Sequence, residues 1–347
     1  MHKTLKSFYT GKKVLITGGA SFIGSHLSEL LLSSGAGIRI VDDLSSGKLE
    51  NIASISGDIE FFRGDLRDRS VADMACQGRQ IVFHLAASHG GRGYIETHPV
   101  ECMNNMLLDH QVFDAAAKAG AEKIVHASSA CTYPTTLQAS ENDRNLLRET
   151  DANFSECGKA FSDGEYGWAK LMGEMQLRAF HKQYGLSGVA CRIFTAYGER
   201  ENESHAVVAL IAKAAAKMDP YPVWGNGLQT RNFTYVADTA AGIALAGAKL
   251  SGFEAINIGS QQHHTILDLT AEIFKTLGWK PSRMEYQLDK PVGVKSRASD
   301  NEKCRKLLGW EPSFSLADGV SRTARWYVAQ LTPEKLAGLQ HSLMERN

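Results

Sequence analysis

The chain has no surplus of charge of either sign: Lys plus Arg number 38 and Asp plus Glu number 38 in 347 residues. Without a net charge there is no chain-wide attraction to nucleic acid or to a membrane surface, so neither is expected as a partner. A local basic pocket for a diphosphate is still open to it. No apolar run approaches the roughly 20 residues that a membrane-crossing helix needs. The opening Met1-His2-Lys3-Thr4-Leu5-Lys6 lacks the apolar core of a secretory leader. The six cysteines, at 76, 102, 131, 157, 191 and 304, form no Cys-x-x-Cys pair. That argues against a disulfide framework or a zinc cluster and fits a reducing, cytoplasmic setting. Nor do the twelve histidines form a His-x-x-x-His pair, so no metal is expected. Repeats and low-complexity tracts are missing too. The apolar share, 43%, is ample for a substantial core in one large domain or two ordinary ones.

What is present is alternation. Lys13-Val14-Leu15-Ile16-Thr17 is a β-branched apolar run ending in glycines, the pattern of a buried parallel strand. Residues 22–33 set Ile23, Leu27, Leu30 and Leu31 on helical spacing, and Ser34-Gly35 stops the helix. Further strands are expected at 37–42, 59–62, 80–85, 123–127 and 187–192, with helices between them, notably 102–119 and 166–184. This order specifies an α/β fold with a doubly wound parallel sheet of Rossmann type. Beyond Arg192 the pattern loosens into a helix near 205–218, a turn-rich loop at 219–227, a strand and helix within 231–248, and short helices and loops after 261. The expected division is a cofactor domain, 1–191 with 232–259 returning to it, and a smaller interleaved C-terminal substrate domain, 192–231 and 260–335. Residues 135–165 are polar with few helix or strand signals, and a loop that long is expected to be a lid over the substrate.

Thr17-Gly18-Gly19-Ala20-Ser21-Phe22-Ile23-Gly24 joins the first strand to the first helix. A Gly-rich turn there brings backbone N–H groups close to a pyrophosphate, and the helix N-terminus adds favourable partial charge. Gly18 serves the turn and Gly24 close helix packing. Ser21 stands where a middle glycine is usual, small and with a hydroxyl, and Phe22 and Ile23 open the helix beside it. Asp42, ending the second strand, can accept from both ribose hydroxyls, which favours NAD over NADP. Asp65 and Leu66 are expected at the adenine, and Leu85, Ala86 and Ala87 at the middle of the cofactor.

Tyr166-Gly167-Trp168-Ala169-Lys170 is a Tyr-x-x-x-Lys motif, with both functional side chains on one helical face. Tyrosine ordinarily titrates at about 10, too high for a base at neutral pH. A neighbouring ammonium and a positive nicotinamide favour the phenolate. Between this motif and the Gly-rich turn lies Ser128-Ser129-Ala130-Cys131-Thr132-Tyr133-Pro134, which offers a thiol to a bound sugar.

On these motifs the chain resembles the extended short-chain dehydrogenase/reductase family, the NAD-dependent epimerases and dehydratases of nucleotide sugars. The stretches that carry the resemblance are residues 86–94, 127–134, 224–231 and 293–301. It implies that Tyr166 is the redox tyrosine, that Lys170 holds the nicotinamide ribose, that Ser129 orients a C4 hydroxyl and that Cys131 is an acid/base thiol. Gly90, Ala130, Cys131, Lys213, Gln229, Arg231 and Arg297 fall at substrate-lining positions. Two departures fall there too. His205 stands where a second acid/base is a lysine, and Thr195 where an asparagine contacts substrate. Histidine titrates near neutral pH, so acid/base capacity is kept. The implied activity is an isomerase forming a 4-keto sugar, whose acidified C3 and C5 protons Cys131 and His205 exchange from opposite faces.

A 4-epimerase needs neither Cys131 nor His205, and a dehydratase of the common 4,6 type carries Asp-Glu where this chain has Ala130-Cys131. A non-catalytic NAD-binding regulator is the remote reading, because both Tyr166 and Lys170 are present. The resemblance also implies a homodimer that pairs helices 102–119 and 166–184 with their copies.

Overall fold

The computed structural model describes residues 1–344. Seven parallel strands form one sheet: β1 (Lys13–Thr17), β2 (Gly37–Asp42), β3 (Ile59–Arg63), β4 (Ile81–His84), β5 (Lys123–Ser129), β6 (Ser187–Ile193) and β7 (Phe253–Ile258). Their order across the sheet is β7-β6-β5-β4-β1-β2-β3. β4 is buried at every residue and β1 at all but the first, as expected of strands covered by helices on both faces. Chain direction across the sheet reverses between β1 and β4, where Thr17 pairs with His84. A crevice opens beyond the carboxyl ends of such strands, and ligands bind there.

Four helices position the site. Helix α1 (Phe22–Ser33) follows β1, α2 (Asn105–Lys118) precedes β5, α3 (Gly164–Tyr184) precedes β6, and α4 (Ala206–Ala215) belongs to the later segment. The single helix expected over 102–119 is in fact two, Pro99–Met103 and α2, meeting at Asn104. The side chain of the buried Asn105 is committed to the backbone of Ser88, accepting from its N–H at 2.7 Å and donating to its carbonyl at 2.9 Å. That clamp fixes the exit loop of β4.

A second core gathers Val207, Val208 and Ile211 of α4 with Tyr221, Val223, Leu269, Ile273 and Val320. The expected loop at 219–227 contains a strand, Tyr221–Trp224, paired in parallel with Met284–Gln287. Its prolines read as a turn, yet Tyr221 and Val223 are completely buried, and tertiary packing overrides local preference.

Residues 135–163 form short turns, two single-turn 3-10 helices and one two-residue strand, and 164 and 165 open α3. The segment is tied to the core at several points. Arg192 donates to the Glu149 and Ala152 carbonyls at 2.9 and 2.7 Å, and Leu147 pairs with Ser299. Of this segment only Asp163 lines the cavity described below, so it buttresses the site where a covering lid was expected. Among the described residues no helix is long and apolar enough to cross a membrane.

Candidate active site

One cavity of about 1370 Å³ runs from the β1–α1 turn to the second core. It is lined by Gly18, Ser21, Phe22, Ile23, Asp42, Asp65, Leu66, Leu85, Ala86, Ala87, Gly90, Ser129, Cys131, Tyr166, Lys170, Thr195, His205, Lys213, Gln229, Arg231 and Arg297. Two expected residues lie off the lining. Gly24 is packed inside α1 against the Gly18 carbonyl, where any side chain would overlap it, and Ala130 is buried. Gly24 therefore shapes the turn without touching what fills it.

At one end, Gly18 adopts φ +67°, and a Cβ there would come within 2.9 Å of the Ala86 nitrogen. Only glycine permits both that backbone and that approach. The Ser21 hydroxyl donates to the Gly18 carbonyl, so it closes the turn. Both Asp42 oxygens accept backbone N–H groups, Oδ2 from Ala20 at 3.0 Å and Oδ1 from Leu44 at 2.9 Å, while burial pushes the carboxyl upward from its usual range. Each oxygen keeps a second lone pair for a hydroxyl donor. Asp65 pairs with Arg67 at 2.6 Å.

At the centre, Tyr166 and Lys170 project from consecutive turns of α3, with the ammonium 5.9 Å from the phenol ring centre. Burial, and then Cys131 and Cys102, drive the phenol above its ordinary range, while a hydrogen bond from Ser129 draws it back. Burial pulls Lys170 downward and Asp109 pulls it up. Helix α3 reaches the Ser129–Cys131 turn because Gly167 sits directly on the Cys131 carbonyl, where a larger residue would collide. The Ser129 hydroxyl accepts from the Cys131 N–H at 3.1 Å.

Around the thiol the charges form a chain. Arg297 Nη1 donates to Cys131 Sγ at 3.4 Å, its Nε donates to Gln138 Oε1 at 2.5 Å, and its Nη2 pairs with Asp163 at 3.2 Å. Arg92 grips the other Asp163 oxygen at 2.9 Å. Burial alone would raise Asp163, but Arg297 and Arg92 outweigh it and hold the carboxyl below its usual range. The Arg297 fork is thus already engaged. Arg231 differs: it donates only to the Thr230 and Val292 carbonyls, both at 2.8 Å, and no carboxylate pairs with it among the described residues. Burial and the nearby Arg297 push it down to about 9, the signature of a cation in need of an anion.

The cavity lining also holds a polar pair, of which only His205 was singled out from sequence. His205 precedes α4, and its Nδ1 is 3.0 Å from Glu201 Oε1. Its ring stands 5.2 Å from His89, whose own ring is 6.5 Å from Tyr166. Burial, then His89, pushes His205 down to about 3, and burial pushes Glu201 well up. Lys213 donates to the Pro222 carbonyl at 3.0 Å and Gln229 to that of Trp224 at 3.0 Å. Glu201, His89, Arg92, Asp163 and Gln138 were not singled out from sequence. Glu201 stood four residues before His205, and His89 and Arg92 lay inside a quoted motif.

Similarity to known proteins follows the same lines. Residues 14–259 match the model of the NAD dependent epimerase/dehydratase family. The chain is 33% identical over 333 residues to GDP-mannose 3,5-epimerase 1 of Oryza sativa subsp. japonica, covering 94% of this chain and 84% of that protein. It is 27% identical to UDP-glucose 4-epimerase of Mycolicibacterium smegmatis, covering 91% and 98%. The crystal structure of UDP-glucuronic acid 4-epimerase from Bacillus cereus, in complex with UDP-glucuronic acid and NAD, superposes with a TM-score of 0.81 at 27% identity, covering 92% of this chain and all of that one. With a Rossmann-type sheet, a glycine turn at its switch point and a matching family model, the chain belongs to the NAD dependent epimerase/dehydratase family.

Proposed function

We propose that the protein is an NAD-dependent nucleotide-sugar epimerase that makes a 4-keto sugar and inverts C3, C5 or both. The observation that carries this reading is that two further acid/base groups, Cys131 and His205, share one cavity with Ser129, Tyr166 and Lys170. A 4-epimerase has no use for that second pair.

Tyr166 takes the C4 hydroxyl proton, Lys170 stabilises the phenolate, and Ser129 orients the hydroxyl. Bound NAD+ would supply the acceptor for the C4 hydride and the donor for its return. The turn at Gly18 and the N-terminus of α1 would hold its pyrophosphate, Asp42 a ribose, Asp65 and Leu66 the adenine, and Leu85, Ala86 and Ala87 would flank its middle. The 4-ketone acidifies C3–H and C5–H. His205 takes a proton from carbon at Nε2, with Nδ1 facing Glu201; burial opposes the imidazolium that results, so this step needs Glu201 as the carboxylate. Cys131 then delivers its thiol proton to the opposite face, and Arg297 stabilises the thiolate left behind. Arg231, short of an anion, is the diphosphate ligand; Gly90, Thr195, Lys213 and Gln229 line the sugar and nucleotide path.

We also propose a homodimer across α2, α3 and the short helix before α2. Val100, Met103, Leu107, Trp168 and Met175 on these helices are exposed apolar residues, an unusual cluster for a free surface.

The test is incubation with GDP-, UDP-, CDP- and dTDP-sugars in D2O, read by NMR and mass spectrometry. Deuterium at C3 or C5 of a recovered sugar supports the proposal. Inversion at C4 with no carbon-bound deuterium makes the protein a 4-epimerase, and loss of one water makes it a dehydratase.

A further inference from the structure

The cavity would hold two diphosphates, one in NAD and one in a nucleotide sugar. Five arginines line it: Arg67, Arg92, Arg200, Arg231 and Arg297. Four of them are accounted for. Arg67 pairs with Asp65 at 2.6 Å, Arg92 with Asp163 at 2.9 Å and Glu96 at 2.6 Å, and Arg297 with Asp163 at 3.2 Å. Arg231 is assigned above to the diphosphate of the substrate. Arg200 is left. One of its nitrogens, Nη2, pairs with Glu29 of α1 at 2.6 Å. The other, Nη1, is buried and has no hydrogen-bond partner among the described residues. A buried N–H without an acceptor is costly and calls for an explanation.

The backbone of Arg200 is unusual as well. Its φ is +69°, a left-handed conformation that residues with a side chain seldom adopt and that the surroundings must hold. Three contacts do so. Tyr197, three residues earlier, is paired with Tyr235. The Tyr235 hydroxyl lies 2.7 Å from both oxygens of Glu199. The Glu199 carbonyl accepts from Nε2 of His26, on α1, at 3.1 Å. Phe22, His26 and Glu29 form one stripe along α1, at i, i+4 and i+7. Side chains on a helix lean toward its N-terminus, so the Glu29 carboxylate and the guanidinium it holds lie on the Phe22 side of residue 29. Phe22, Ser21 and Gly18 line the same cavity as Arg200. Ser54 Oγ donates to Glu29 Oε1 at 2.9 Å and steadies the carboxylate. The acids next to Arg200 in sequence are engaged elsewhere: Glu199 with Tyr235 at 2.7 Å, Glu201 with His205 at 3.0 Å and Glu203 with Tyr327 at 3.0 Å.

We propose that Arg200 binds the pyrophosphate of the cofactor, with Nη1 donating to a phosphate oxygen while Glu29 fixes the guanidinium. A planar, permanently charged fork suits an anionic oxygen better than any neutral acceptor. A strut between α1 and the later segment would explain the Glu29 pair alone. It would explain neither the place on the cavity wall nor the unused, buried nitrogen. Arg200 lies beyond β6, in the stretch expected to serve the substrate, so the cofactor would tie that stretch to α1. The inference rests on the placement of the pyrophosphate at the Gly18 turn, and not on which sugar carbon is inverted.

The test is equilibrium dialysis with labelled NAD+ and with ADP-ribose, which carries the pyrophosphate without the nicotinamide. No turnover is read. Arg200→Gly removes the guanidinium and suits φ +69° better than arginine does, so the turn is kept. Its Kd for both ligands is expected to rise about 10-fold or more. Arg200→Lys keeps a charge and loses the fork, and its Kd is expected to fall between the two. Should Arg200→Gly fail to fold, Arg200→Lys carries the same comparison. Adenosine, which has no phosphate, is expected to bind wild type and variants alike. An unchanged ADP-ribose Kd overturns the proposal. An equal loss for adenosine overturns it too, because Arg200 would then shape the site without meeting a phosphate. A wild-type protein that binds none of these ligands overturns the placement of the cofactor as well.

Discussion

The Arg297 guanidinium points one of its nitrogens at the sulfur of Cys131 from 3.4 Å while its other nitrogens are held by Gln138 and Asp163. A fork anchored at two points presents the third in a fixed direction. It gives a thiolate a charged donor without any rearrangement at the moment of reaction.

Arg297→Met should slow carbon-bound deuterium exchange by about 100-fold while reduction of bound NAD+ by substrate persists. It should also destabilise the fold by about 3 kcal/mol, because Asp163 loses a buried partner. Chemical denaturation measures the second effect and NMR in D2O the first. Wild-type exchange in this variant removes the thiolate role.

Glu201→Gln leaves an acceptor for His205 Nδ1–H but cannot become a carboxylate. Exchange should fall by about 10-fold in this variant, and by about 100-fold or more in His205→Phe, which has no basic nitrogen. If His205→Phe exchanges at the wild-type rate, the second base is elsewhere, and His89 is the next candidate in that wall.

His126 gives the pH dependence of stability. Its folded-state pKa is pushed by burial from 6.5 to about 3. Below pH 6.5 the unfolded chain takes up a proton that the folded one refuses. Its contribution is thus full above that pH and lost progressively as pH falls toward 3. One such group adds about 1.4 kcal/mol per pH unit to the slope. His126→Phe, compared with wild type by urea unfolding between about pH 6 and 4, should flatten the curve by that amount. Parallel curves would mean that His126 is protonated in the folded protein.

Trp168→Glu puts a charge among the exposed apolar residues of the proposed dimer face. Light scattering is expected to find a dimer for the wild type and a monomer for the variant. A wild-type monomer ends the dimer proposal.

The parallel sheet was legible because each strand is a short β-branched run, and the β1–α1 turn because its glycines leave few alternatives. The strand Tyr221–Trp224 was hidden by Pro220 before it and Pro222 within it, since its burial depends on α4 and on Met284–Gln287, which lie far apart in sequence. The Tyr-x-x-x-Lys motif could be read because Tyr166 and Lys170 are one helical turn apart. The Arg297–Cys131 contact joins residues 166 positions apart, and the Arg200–Glu29 pair joins residues 171 positions apart. No local periodicity records such meetings. Glu201 is the instructive omission: it stands four residues from His205, yet its meaning appears only once the fold buries its carboxylate against the half-buried imidazole.

The most direct measurement is made on Cys131→Ser with the turned-over nucleotide sugar in D2O, following reduced-nicotinamide absorbance and carbon-bound deuterium together. The account predicts that the variant still reduces bound NAD+ but leaves C3 and C5 protiated. Deuterium entering those carbons at the wild-type rate would contradict it.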